Sequence, residues 1–323
     1  MPERKSRLAE IGDIPSLAPT STMEPVDMVA ADAGVPLTGR AARQGKVGVI
    51  GWLCISWLAL IVLVALLAPV LPIDDPNKTV ASIARQPPGT DGHILGGDGL
   101  GRDLFSRIIW GARASLLLGV ASVLIGLIAG GLLGLIAGYF RGRSDTVLTG
   151  VFDVLLSFPQ LILALTLVTV FATGAGTSAT RRMVTLILAL GLVSVPVLAR
   201  ITRANTLSWS EREFVLAARS LGARNRQIMF AEVLPNVLPA MFSIALLGVA
   251  VVIVAEGGLS LLGVGVQLPT PSWGNIIAEG RSDLRDAPHI VLWPTLVIFL
   301  TVFALNYLGD VVRTHFDVRE SAL

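Results

Sequence analysis

The chain has 323 residues, 53% of them hydrophobic and 15% charged, with a mean hydropathy of +0.73 and a formal net charge of +2. Soluble domains average nearer a quarter charged residues, so this composition excludes one and predicts an integral membrane protein. The single cysteine, Cys54, excludes an internal disulfide framework and reads as a small buried apolar residue.

Residues 1–46 are polar, rich in Pro, Ala, Asp and Glu, and show no helical or strand period. They are expected to form a disordered cytoplasmic tail. The apolar run that follows starts too late for Arg4, Lys5 and Arg7 to open a signal peptide. Residues 47–72 form the first expected span, closed by Pro69 and Pro72, since roughly 20 apolar residues cross a bilayer. Residues 73–112 read as a polar, glycine-rich external loop that contains Gly101-Arg102-Asp103. The second span, 113–140, carries Gly126, Gly130, Gly134 and Gly138 on one face. Such a face allows close helix approach in lipid, either within the subunit or between subunits.

Arg141 and Arg143 mark a short loop, and the third span covers about 147–172. It holds Asp153 and Pro159. Asp153 either snorkels to water from a span end or stands near the cytoplasmic mouth of a pathway. After a loop at 173–182 come span four (183–204, with Pro196), span five (237–263, with Glu256 near its far end), an external loop (264–288) and span six (289–310). Residues 311–323 form a cytoplasmic tail. Most Lys and Arg fall in the N-terminal tail, the 141–146 loop, the 200–226 region and the C-terminal tail. The excess places both termini and the segment 209–236 inside. The expectation is an all-α protein of six transmembrane helices, N-in and C-in.

The segment 209–236 is the longest charged stretch in the second half. Ser210 and Glu213 have the spacing of a capping box, flanked by Trp209 and Phe214 as a hydrophobic staple. Phe214, Ala217, Ala218 and Leu221 share one helical face, while Arg212, Leu216 and Arg219 lie on the other. Gly222 is suited to a left-handed helix end. Pro235 is expected to stop a second short helix. His93, His289 and His315 show no ligand spacing, and no phosphate loop or hydrolase motif occurs. No catalytic, cofactor or metal site is therefore expected, nor is a nucleic-acid partner.

Ala217-Ala218, Gly222 and Leu234-Pro235 resemble the EAA loop of permease subunits of binding-protein-dependent ABC importers, with Leu216 where that family usually has Glu. Residues 93–107 resemble the H-x-L-G-T-D-x-x-G-R-D-x-x-S-R segment of C-type permeases of oligopeptide and dipeptide importers, with Gly97 for Thr. Residues 152–159 and 256–274 resemble further runs of that group. The resemblance spans roughly residues 47–310. It implies a type I ABC importer transmembrane domain in a bacterial inner membrane, with core 113–310 and coupling loop 209–236. It also implies a homologous second permease, one or two ATPase subunits that hold ATP and Mg, and an extracytoplasmic substrate-binding protein.

On this reading Ser210, Glu213, Phe214, Leu216, Ala217, Ala218, Arg219, Leu221, Gly222 and Pro235 form the ATPase-coupling site. Asp153, Pro159 and Glu256 are candidates for the translocation pathway. Peptide cargo is expected. Nickel chelates, glutathione or other small solutes are the alternatives, and a non-transporting scaffold or a passive channel would need no such assembly.

Overall fold

The computed structural model describes residues 48–172 and 178–320. The expected tail 1–46 and residues 173–177 of the expected loop lie outside them. The described chain is helical, with isolated bridges at Thr79–Arg102 and Gly97–Asp103. In order it forms α1 (Val49–Leu67), α2 (Leu104–Phe140), α3 (Gly142–Ser157), α4 (Gln160–Ala172), α5 (Ala179–Trp209), α6 (Glu213–Ser220), α7 (Asn225–Gln227), α8 (Leu234–Leu261), α9 (Trp273–Gly280) and α10 (His289–Glu320).

Five helical stretches are long and apolar enough to cross a membrane: α1, α2, α5, α8 with its lead-in from Asn225, and α10. The third expected span is instead the pair α3 and α4, which meet at 87°. The break falls where Pro159 removes a backbone donor and forces Phe158 into an extended conformation (φ −83°, ψ 136°). Counted as one bent crossing, the pair completes six.

Further boundaries differ from the sequence reading: α5 (Ala179–Trp209) extends beyond the expected 183–204, and α3 begins at Gly142 inside the expected loop 141–146. Helix α2 starts at Leu104, so residues 104–112 are helix rather than loop. The Asp103 side chain caps it by accepting from the Ser106 N–H at 2.7 Å. At 37 residues, α2 is about 55 Å long, well beyond the roughly 30 Å of hydrocarbon it must cross. Its polar first turns thus stand outside the apolar window. The expected loop 264–288 contains α9, and α10 continues through residues 311–320, which were read as tail.

Among the described helices α2 and α5 pack most extensively. The glycine ridge makes this possible. A Cβ at Gly126 would stand 2.8 Å from Ser194 Cβ, one at Gly130 2.5 Å from the Val195 carbonyl, and one at Gly138 2.7 Å from Thr206 Cβ. A Cβ at Gly134 would strike the Ala199 carbonyl. The ridge is therefore spent on packing within this subunit. Around it lies the main core, including Leu118, Leu186, Ile253, Leu259 and Trp273.

Side-chain bonds fix which helix ends share a side. The Tyr139 hydroxyl donates to Asn225 Oδ1 at 3.2 Å, and Arg141 pairs with Glu211 at 2.8 Å. The inner end of α2 and the segment 209–227 are thus on one side. Arg102 and Arg107 reach Glu279 at 2.8 and 2.7 Å, placing residues 98–107 and α9 together on the other. The alternation agrees with the orientation read from the basic residues.

Gly134→Val is expected to separate α2 from α5 and to cost about 1–3 kcal/mol or more in overpacking. A lower yield of monodisperse, detergent-extracted protein would report it. Gly150→Ala, on α3 where an added Cβ meets nothing within 4 Å, should leave the yield unchanged.

Candidate functional site

The segment 209–236 is built from the end of α5 onward. That helix runs through Trp209, and its last turn claims Ser210, whose N–H bonds to the Thr206 carbonyl at 2.9 Å and whose Oγ donates to Leu207 O at 3.0 Å. Ser210 therefore closes α5 and does not open α6, so the expected Ser210–Glu213 capping box is absent. Arg212, in extended conformation (φ −69°, ψ 152°), precedes the first residue of α6 without a side-chain cap. Trp209 and Phe214 still meet, with ring centroids 6.2 Å apart, and the Arg212 guanidinium lies 5.2 Å from the Trp209 ring centroid. Glu213 in the first turn and Arg219 in the last complement the helix dipole.

Gly222 adopts φ +80°. Around it the Ala223 N–H bonds to Ala218 O and the Gly222 N–H to Arg219 O, both at 3.1 Å. This is a Schellman ending, and it needs the left-handed residue that glycine supplies without a Cβ penalty. After α7, residues Ile228–Val233 widen into a π-turn in which Leu234 N–H bonds to Met229 O, five residues back. The chain then runs directly into α8. Pro235 therefore stops nothing: it sits in the first turn of α8, where its missing N–H costs least. Asn225 to Leu261 is one continuous helical stretch.

The inner side of this segment is a small core of its own. Val215, Ile228, Val233 and Val237 are fully buried and pack with Leu135, Tyr139, Met229 and Met241. Ala218 and Ala223 lie partly buried at its edge. Of the shared face Phe214, Ala217, Ala218 and Leu221, this small core takes up only Ala218. Phe214, Leu216 and Ala217 are exposed and Leu221 is 88% exposed. Phe214, Ala217 and Leu221 thus form an apolar face that the described residues leave exposed.

The pathway candidates fall apart from one another. Asp153 lies on α3, 3.7 Å from Arg200, with both side chains more than half exposed. Pro159 sits at the bend. Glu256 is completely buried, in the outer part of α8, where one carboxylate oxygen accepts from Ser260 Oγ at 2.7 Å and Ser272 Oγ at 2.9 Å. A Cβ on residue 274 would stand 2.6 Å from its other oxygen. Ser272 and Asn275 exchange caps at the start of α9. Trp273 inserts against α2, its ring N–H donating to Ile108 O at 3.0 Å. Glu256 thus ties the outer end of α8 to α9 and lines no surface in this conformation.

The external motif also resolves into structure. Asp98 accepts from Arg102 at 2.6 Å and Arg107 at 2.5 Å, both guanidinium groups also hold Glu279, and Arg85 pairs with Asp283 at 2.9 Å. His93 meets Asp103 at 2.8 Å. Arg107 is 1% exposed. Burial pushes the Glu279 carboxyl above the usual carboxylate range, and Arg102 opposes that rise. The sequence offered no sign of Glu279, because its partners lie more than 170 positions away. The network clamps the external loop onto α9. Among the described residues no cluster of side chains suits a metal ion.

A family model for binding-protein-dependent transport system inner membrane components matches residues 130–321. The glutathione transport system permease protein GsiD of Pectobacterium atrosepticum is 37% identical over 225 residues, 70% of this chain and 72% of that protein. The GsiD proteins of Escherichia coli O6:K15:H31 and Shigella boydii serotype 4 are 40% identical over the same shares. Two crystal forms of the MetNI methionine ABC transporter in inward-facing conformations contain a chain of the same fold. Each gives a TM-score of 0.54, at 18% and 19% identity, and this chain's match covers 96% and 97% of it. The chain belongs to the family of binding-protein-dependent transport system inner membrane components. It is a multi-pass inner membrane permease subunit of an ABC importer.

Arg107→Met should cost about 3 kcal/mol, because it leaves Asp98 and Glu279 short of a buried partner. The thermal unfolding midpoint in detergent would fall by several degrees. Arg85→Met, which removes a largely exposed partner, should cost under about 1 kcal/mol.

Proposed function

Because the chain is an importer permease, we propose that it forms half of the membrane pore, beside a homologous second permease. We further propose that the segment 209–236 is the surface through which one or two ATPase subunits drive that pore. ATP and Mg are held by those partners, and an extracytoplasmic binding protein supplies the substrate. The observation that carries this reading is the uncovered apolar face of α6, held on a structured turn at Gly222.

The local mechanics support it. A push on α6 enters the membrane by two routes. One passes through Gly222 and α7 into α8, which continues without a break. The other passes from Val215 through Ile228 and Val233 of the same segment, which thus works as a lever, to Leu135 and Tyr139 at the inner end of α2. Because α2 is locked to α5 by the glycine ridge, α2, α5 and α8 respond together. Leu216 stands on the exposed side of α6, so at this position the partner meets an apolar side chain in place of a carboxylate.

The proposed cargo is a short peptide. The relatives, named glutathione transport permeases, favour a tripeptide-sized solute over longer chains. Deleting the gene should abolish uptake of radiolabelled glutathione or of a competing dipeptide; whichever competes identifies the cargo, and unaffected uptake of both would refute the peptide reading.

Gly222→Val is expected to reduce substrate-stimulated ATP hydrolysis and uptake at least tenfold, since a β-branched residue strains at positive φ. Gly222→Asn, which tolerates the left-handed region, should retain a substantial fraction. Equal activity of the two variants and the parent, measured in proteoliposomes of the complete complex, would remove the lever from the mechanism. Recovery of the chain from its membrane without any ATPase would turn the reading toward a scaffold.

A further inference from the structure

The turn between α2 and α3 places an arginine where the backbone calls for glycine. Arg141 stands at φ 53°, ψ −164°, at the border of a region that is essentially glycine's, because a Cβ crowds the neighbouring peptide there. Gly142 follows at φ 58°. A glycine at 141 would make the same reversal without strain. The backbone of Arg141 makes bonds that any residue could make. Its N–H bonds to Ala137 O at 3.2 Å, and its carbonyl accepts from Ser144 Oγ at 2.9 Å. What the arginine adds is its side chain.

That side chain crosses to the junction between α5 and α6. One guanidinium nitrogen donates to Glu211 Oε1 at 2.8 Å and to Ser210 Oγ at 3.3 Å. The Arg141 and Glu211 side chains are 45% and 68% exposed, and an ion pair in such a setting contributes little to stability. A strained backbone set against a weak pair is a poor device for holding a fold. It is a direct link between moving parts. A single residue touches the end of α2, the start of α3 and the entry to the segment 209–236. Beyond it, Asp145 pairs with Arg203, and Asp153 with Arg200 at 3.7 Å, so α3 is also tied to the inner end of α5.

We propose that Arg141 is a positioning residue for coupling, a strained hinge that passes movement of the α5–α6 junction to the start of α3 and so to the bent third crossing. This rests on the reading of 209–236 as the ATPase-driven lever. It adds a route to α3 and α4 that runs through neither α8 nor the contact of Val215 with Leu135. The strain makes the hinge responsive: when Glu211 withdraws, the backbone at 141 is free to relax and α3 to reorient, and when Glu211 returns the pair restores the turn.

The test uses the complete complex in proteoliposomes, with uptake per ATP hydrolysed as the readout and the thermal unfolding midpoint as the control. Arg141→Gly keeps the turn and removes the link. Its midpoint should stay unchanged or rise, because relief of strain offsets the freer unfolded chain. Its uptake per ATP should fall about threefold or more. Arg141→Lys, which keeps a cation within reach of Glu211, should restore most of the loss. Glu211→Ala should lower the ratio by a similar factor, and the double variant should be no worse than either single one, because both break one contact. Parent-like uptake per ATP in Arg141→Gly overturns the proposal. So does a midpoint lowered by several degrees with uptake and hydrolysis falling together, which would make the residue structural. Gly222→Val measured alongside separates the two readings. A defective Gly222→Val beside a parent-like Arg141→Gly removes the hinge alone, whereas parent-like behaviour of both removes the lever as well.

Discussion

The close approach of α2 to α5 is the contact on which the remaining architecture rests. Lipid gives helices no hydrophobic incentive to associate, so packing must supply it. The four glycines let the α2 backbone reach the carbonyls and small side chains of α5 between Ser194 and Thr206. Both ends of α2 then become fixed points. Its outer end presents Arg107 to Asp98 and Glu279, and its inner end presents Tyr139 and Arg141 to the segment 209–227. One rigid strut therefore holds the external clamp and the internal contact surface in a defined relation.

That arrangement explains why the segment 209–236 is a structured object and not an irregular loop. Its inner side has its own fully buried residues, Val215, Ile228 and Val233, and its turn has a complete set of backbone bonds. A preorganised surface transmits force without first spending binding energy on ordering. The external clamp serves a complementary purpose. With Glu256, Ser272 and Trp273 it binds α9 to α8 and α2, so the outer ends of the same helices are tied together.

Much of this was legible from residue pattern. The apolar runs gave the crossings, the basic residues gave the orientation, and Gly222 announced its left-handed turn. What was not legible depended on distant neighbours. Whether Ser210 caps α6 or closes α5 is decided by how far α5 extends, which packing against α2 determines. Whether Phe214 or Val215 faces inward is decided by where Leu135 and Tyr139 stand. A helical wheel names the two faces but not which one the protein covers. Glu279 was missed because Arg102 and Arg107, whose ion pairs turn that carboxylate into a clamp, lie on a segment remote in sequence.

The prolines make the same point in the sharpest form. Pro159, Pro196 and Pro235 each lack a donor and each threaten a helix. At Pro159 the chain bends by 87°, with Phe158 half exposed and with Asp145 and Asp153 of α3 paired to Arg203 and Arg200 of α5. Pro196 is buried inside an unbroken α5, where the α2 contact on either side keeps the helix in place. Pro235 is absorbed by the π-turn immediately before it, so the helix passes from the contact surface into the membrane without a joint. The missing donor is common to all three prolines, and position and surroundings decide whether it becomes an elbow, a tolerated defect or a continuous helix.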